Sequence, residues 1–197
     1  MNDSMYSDVS AYIIAGGKSR RFGEDKTLYV YRGKPLIAHV FDIVRRIFTQ
    51  VAIVADRGER FSWLGVPCYP DLIPDAGPMG GIYTALHHSV TERTFIVAVD
   101  MPGLCEDLVR HLVEMSRGKK ITVPCIGGRY EALHAVYTRQ CLPEIEVLVK
   151  SGKLKIVQYL DEAGPTCIGE QEVRMFADPA EVFRNVNYQD DLKKYPD

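Results

Sequence analysis

Residues 11–26 read AYIIAGGKSRRFGEDK, and the join inside that stretch decides the fold. Residues 11–15 are apolar at successive rather than alternate positions, the pattern of a strand covered on both faces. At Gly16 the sequence turns abruptly to glycine and charge. Two more runs of the same kind follow, VAIVA at 51–55 and FIVAV at 95–99. Helical patterns separate them. After Pro35, the residues Leu36, Ile37, Val40, Phe41, Val44, Ile47 and Phe48 form one apolar stripe, and Pro35 itself suits a first helical turn. Pro78 opens a second predicted helix reaching residue 89, and a third covers 104–117, with Gly118 available as its left-handed cap. Strand–helix–strand alternation implies parallel pairing with right-handed crossovers. The expected fold is a Rossmann-like three-layer α/β/α sandwich with a mainly parallel sheet.

The remaining third is less regular. Strands are predicted at 121–125 and 133–138, helices at 140–150 and 153–162, a short strand near 173–176 and a terminal helix from Tyr188. With no repeat or long Pro/Gly/Ser linker, residues 1–197 read as one domain in two halves, about 10–118 and about 119–197.

Composition narrows the classes without choosing among them. The chain has 197 residues, 24 Lys and Arg against 26 Asp and Glu, and a net charge of −2. That excludes a disordered chain, a fibre and a disulfide-stapled mini-protein, and a near-neutral balance argues against a nucleic-acid binder. Residues 1–9 (MNDSMYSDV) carry no Lys or Arg and do not resemble a signal peptide. No apolar run approaches the roughly 18 residues of a membrane helix. The five cysteines, Cys68, Cys105, Cys125, Cys141 and Cys167, form no C-x-x-C pair. Reduced, mostly buried thiols in a cytoplasmic protein are therefore expected.

In an open α/β sheet, ligands bind beyond the carboxyl ends of the strands. The first such end carries Gly16 and Gly17, whose backbone N–H groups can converge on an anion. Lys18, Arg20, Arg21 and Lys26 add positive charge, offset by Glu24 and Asp25. A polyphosphate site and a solvated basic turn both fit these residues. A Walker loop does not, because it requires glycine where Tyr12 stands, and G-x-G-x-x-G is absent. The third strand ends in Asp100-Met101-Pro102. A carboxylate facing phosphates calls for a cation between them, and Mg²⁺ favours one or two carboxylates plus phosphate oxygens and water; Asp100 could otherwise cap the following helix. Asp71, after the short strand candidate 66–70, reads alone as a turn residue. His39, His87, His88 and His111 lie in helical patterns without metal-ligand spacing, and His87 and His88 point to different sides.

Residues 14–26, IAGGKSRRFGEDK, resemble the signature LAGGxSxRMGxDK of the molybdenum cofactor guanylyltransferases, within the GT-A type of nucleotidyltransferase. Ile14 and Phe22 are the departures, both apolar exchanges. GPMGGI at 77–82 resembles the family's GPLxGI, LHAVY at 133–137 its PLHAVY with Ala132 in place of Pro, and FRNVN at 183–187 its FxNINTPED segment. The resemblance implies a nucleotide-binding first half and an acceptor-side second half. It implies Ile14, Ala15, Gly16, Gly17, Ser19, Arg21, Lys26, Asp56, Asp71, Gly80 and Asp100 as GTP-binding residues, with Asp56 a candidate for base recognition. Arg21, Lys26 and Asp100 would be catalytic, Asp100 and Asn185 would hold Mg²⁺, His134 would face the acceptor, and Asn187 would cap the last helix.

The implied reaction joins GMP from GTP to the terminal phosphate of molybdopterin and releases pyrophosphate. An attacking phosphate monoester is largely ionised at neutral pH, so the task is positioning and charge neutralisation, not strong base catalysis. A molybdoenzyme or delivery chaperone would receive the product; neither nucleic acid nor membrane is implied. Rival readings are a cytidylyltransferase on molybdopterin or another small phosphate acceptor, a sugar-phosphate nucleotidyltransferase, and a non-catalytic nucleotide sensor or maturation chaperone. Relatives that transfer cytidylyl groups tend to carry LAAG where this chain has IAGG, so a missing methyl at Gly16 leaves room for a purine.

Overall fold

The three apolar runs become neighbouring strands at the centre of the sheet in the computed structural model, which describes residues 5–16 and 25–186. The chain runs through β1 (Tyr6–Ile14), a hairpin of β2 (Val30–Tyr31) and β3 (Lys34–Pro35), α1 (Leu36–Ile47) and β4 (Phe48–Val54). A 3₁₀ turn (Gly58–Leu64) leads to β5 (Cys68–Tyr69), α2 (Gly77–His88), β6 (Arg93–Ala98) and α3 (Glu106–Met115). The second half contributes β7 (Ile121–Ile126), β8 (Arg129–Tyr130), β9 (His134–Thr138), α4 (Leu142–Lys150) and α5 (Ile156–Ala163). It ends, among the described residues, with β10 (Thr166–Gly169), α6 (Glu170–Val173) and α7 (Pro179–Val182).

Eight strands of the described residues form one sheet in the order β10-β7-β9-β6-β1-β4-β5, with β8 beside β7. β1 pairs in parallel with both β4 and β6, so Ile13 lies between Ile53 and Val97. β9 enters antiparallel between β6 and β7, which joins the second half to the same sheet. The sandwich is thus mainly parallel around the first strand and mixed beyond it.

Unbroken apolar runs are required because both faces of the sheet are covered. Val9, Ala11, Ile13 and Ala15 pack with α1 and α3; Tyr12 and Ile14 pack with α2, α4 and α5. Fully burying one such Ile is worth about 2–3 kcal/mol. On α1 the predicted stripe is buried from Leu36 to Ile47, and Pro35 precedes the helix instead of opening it. No helix among the described residues is long and apolar enough to cross a membrane.

Three expectations need correction. The strand expected near 173–176 is the end of α6 and the turn after it. Glu170 pairs with Arg174 at 2.7 Å across one helical turn, and Val173 is buried beneath that turn. The extended edge segment lies earlier, at β10, where Cys167 faces β7. Cys125 and Cys167 form a disulfide, their Cα atoms 5.6 Å apart. Parallel pairing of β7 and β10 brings together two cysteines separated by 42 positions, a proximity that local spacing does not encode. His87 and His88 diverge along α2, yet their rings meet edge to face at 5.2 Å because His88 turns to stack on Tyr69. The terminal helix from Tyr188 lies outside the described residues.

Candidate active site

Strand ends determine where the site forms. The Ala15 N–H donates to Val54 O at 2.8 Å, and Val99 N–H to Ile14 O at 3.0 Å. The three central strands therefore finish at one level, and Gly16, Asp56 and Asp100 leave the sheet side by side. A cleft of about 400 Å³ opens there. Its lining includes Ile14, Ala15, Gly16, Lys26, Asp56, Asp71 and Asp100 among the expected residues, joined by Asp25, Thr27, Arg60, Asp75 and the α2 start at Gly77 and Pro78.

Lys26 and Asp100 meet across this cleft, Nζ to Oδ2 at 3.0 Å. Asp25 caps the 3₁₀ turn Lys26–Leu28: its Oδ1 accepts from Thr27 N–H at 3.1 Å and from the Thr27 hydroxyl at 2.7 Å. Asp100 Oδ1 is buried without a partner among the described residues, as are Asp71 Oδ1 and Arg60 Nε. Three orphaned polar atoms in one cleft mark a place built for a polar guest. Asp100 does not cap the next helix, since α3 begins at Glu106 after Cys105. Its own carbonyl accepts the Val186 N–H at 2.9 Å.

Asp71 and Asp56 share a hydrogen bond, and burial together with the Asp56 charge pushes the Asp71 carboxyl up to about 6. Gly16 packs closely beside it. A Cβ at that position would lie 3.2 Å from Asp71 Oδ2, closer than ordinary contact.

Other expected residues fall elsewhere. Gly80 is buried one turn into α2 and does not line the cleft. A Cβ there would come within 2.8 Å of the Ala76 methyl, so the glycine serves helix packing, and Gly77 and Pro78 reach the cleft in its place. His134 does not face solvent or the cleft: it is fully buried, edge-on to Phe95 and Phe183, with neither ring nitrogen hydrogen-bonded among the described residues. Burial lowers its pKa to about 3. Asn185 is exposed and outside the cleft lining. Gly17, Ser19 and Arg21, with Lys18, Arg20 and Asn187, lie outside the described residues.

The sequence reading missed Arg60, which pairs with Asp25. Nothing in DRGERF at 56–61 distinguishes one arginine from another; only the fold of the 3₁₀ turn selects it. Among the described residues no group of three or more His, Cys, Asp or Glu could hold a metal ion. The buried, unpartnered Asp100 Oδ1 nevertheless suits a cation that takes one carboxylate oxygen and completes its shell with phosphate and water, as Mg²⁺ does.

The chain resembles known proteins along most of its length. A protein of Pelotomaculum thermopropionicum named as a probable molybdenum cofactor guanylyltransferase is 34% identical over 186 residues, spanning 94% of this chain and 91% of the relative. A similarly named protein of Aquifex aeolicus is 33% identical, covering 94% and 89%. The crystal structure of molybdopterin-guanine dinucleotide biosynthesis protein A from Archaeoglobus fulgidus superposes with a TM-score of 0.81 at 26% identity, covering 94% of this chain and 95% of that one. Residues 11–163 match the family model of the MobA-like NTP transferase domain, and the chain belongs to that family.

Proposed function

We propose that the protein transfers GMP from GTP to the terminal phosphate of molybdopterin, releasing pyrophosphate. The observation that carries this reading is the convergence of Lys26 and Asp100 at 3.0 Å in the cleft at the strand ends, in a chain of this family with relatives named for that activity.

Charge distribution supports a divalent cation in the reaction. Five carboxylates line the described part of the cleft, from Asp25, Asp56, Asp71, Asp75 and Asp100, against the two cations Lys26 and Arg60. Such a wall repels a triphosphate unless further positive charge arrives with it. Mg²⁺ held by Asp100 would supply part of that charge and polarise the α-phosphate. The basic residues at 18, 20 and 21 would supply more.

Lys26 then neutralises the triphosphate as pyrophosphate departs, held in place by the turn that Asp25 caps. The N-terminal turn of α2, at Gly77 and Pro78, offers the Gly77 N–H and its positive dipole end to anionic parts of the substrate. Gly16 and Asp71 bound the nucleoside side, with Asp56 able to accept from guanine N1–H and N2–H. A phosphate oxygen of the acceptor bonds to the α-phosphorus, and the bond from that phosphorus to the α–β bridging oxygen breaks. Pyrophosphate leaves with that electron pair. No protein nucleophile is needed.

Calorimetric titration with GTP, CTP, ATP and UTP, with and without Mg²⁺, tests the nucleotide and the metal. GTP preference that depends on Mg²⁺ is expected, and preference for CTP would overturn the guanylyl assignment. Pyrophosphate release on adding intact molybdopterin separates an enzyme from a nucleotide sensor.

A further inference from the structure

Arg60 sits on the turn between β4 and β5 and lines the same cleft as the Lys26 turn. Two contacts fix it from its own side. Its guanidinium lies over the Phe61 ring at 4.8 Å from the centroid, and Phe61 is 1% exposed in the α1-side core. The Trp63 indole N–H donates to the Arg60 carbonyl at 3.0 Å. From this platform Nη1 pairs with Asp25 Oδ2, and Nη2 reaches toward Ala15 O at 3.5 Å.

Asp25 is consequently held on both oxygens, by Thr27 on one and by Arg60 on the other. The next residue is Lys26. Its ammonium must stand over Asp100 and the phosphate side of the cleft, and a four-carbon stem does not fix a position by itself. A stability role accounts poorly for Arg60, because its Nε is buried without a partner among the described residues. The pair also spends one of only two described cations lining the cleft on a carboxylate that Thr27 already holds.

We infer that Arg60 is a positioning residue: it clamps Asp25 so that the capped turn presents the Lys26 ammonium to the triphosphate. This rests on the nucleotide reading of the cleft given above. Arg60 ties the segment carrying Asp56, on the nucleoside side, to the segment carrying Lys26, on the phosphate side. Without it, Asp25 would keep its Thr27 cap but lose its charge partner among neighbouring carboxylates, and the turn would drift.

The test is a thermodynamic cycle on the full chain. GTP with Mg²⁺ is titrated against wild type, Arg60→Ala, Arg60→Lys, Asp25→Asn, Lys26→Ala and the double variant Arg60→Ala/Lys26→Ala. Calorimetry gives the affinities, and the emission of Trp63, the chain's single tryptophan, gives a second readout beside Arg60. Arg60→Ala and Asp25→Asn are each expected to weaken binding about tenfold, the scale of one charge-assisted contact. Arg60→Lys should recover part of that, having the charge but not the fork. The double variant should bind within about twofold of Lys26→Ala, because Arg60 acts only through Lys26.

Independent, multiplying effects of Arg60 and Lys26 would overturn the inference, as would Arg60→Ala binding within about twofold of wild type. If Arg60→Ala does not fold, Asp25→Asn carries the same cycle with Lys26→Ala. Should Lys26→Ala itself bind GTP normally, the nucleotide reading fails and the inference with it. A silent Arg60 beside a damaging Lys26→Ala sinks the inference alone.

Discussion

The Lys26 ammonium lies 3.0 Å from one oxygen of Asp100, while the other oxygen of that carboxylate is buried without a partner among the described residues. The two side chains come from segments 74 positions apart and are largely shielded from solvent. In this arrangement each charge balances the other; on the proposed function, a phosphate and a cation would take them separately.

We expect Lys26→Ala to lower pyrophosphate release by about 10²-fold, the usual cost of one fixed charge-stabilising donor. Asp100→Ala should remove the Mg²⁺-dependent part of GTP affinity. Metal-dependent binding that survives Asp100→Ala in a calorimeter would take Asp100 out of that role.

Gly16→Ala should weaken GTP binding by roughly tenfold, since one added methyl in a close-fitting site has effects of that order. The new Cβ would stand 3.2 Å from Asp71 Oδ2 and push that carboxylate aside by a few tenths of an ångström. Titration of the Ala variant against GTP and CTP checks the point; unchanged GTP affinity would show that this contact does not shape the nucleoside side.

Asp71 binds its proton more tightly in the folded chain than in the unfolded one, because burial and then Asp56 raise its pKa from 3.8 to about 6. Its contribution to stability is therefore fully present below pH 4 and is lost as pH rises through 6. After allowance for solvent screening, that loss is about 1 kcal/mol. Asp71→Asn should raise the thermal midpoint at pH 7 by about 2–4 °C and leave it unchanged near pH 4. Equal shifts at both values would rule out the carboxylate's ionisation as the cause.

His134 works in the opposite sense. Burial lowers its pKa from 6.5 to about 3, so the folded chain binds this proton less tightly and loses stability as pH falls below 6.5. The loss at pH 4 is on the order of 3 kcal/mol. His134→Phe, which retains ring contacts with Phe95 and Phe183, should melt like wild type at pH 8 and higher than it at pH 4.5. Identical acid curves for the two would contradict this account.

The central α/β layout was legible because burial on both faces forces unbroken apolar strands, a signal that 11–15, 51–55 and 95–99 carry in full view. The edge was harder to read. TCIG at 166–169 is short and flanked by helix, and only its place beside β7 makes it a strand. Local sequence also singled out Gly16, Lys26 and Asp100, which line one cleft, since each follows directly from a strand end or a compact motif.

What the sequence determined by itself was the alternation of buried strands and amphipathic helices, and with it the edge of the sheet at which the cleft opens. What only the tertiary structure decided was which distant charges share that edge. Arg60 meets Asp25, Asp71 leans on Asp56, and His134 turns into the core away from the cleft. Such pairings depend on strand register and on the path of the 3₁₀ turn. These are set by packing over the whole sheet, and no short window of sequence contains them.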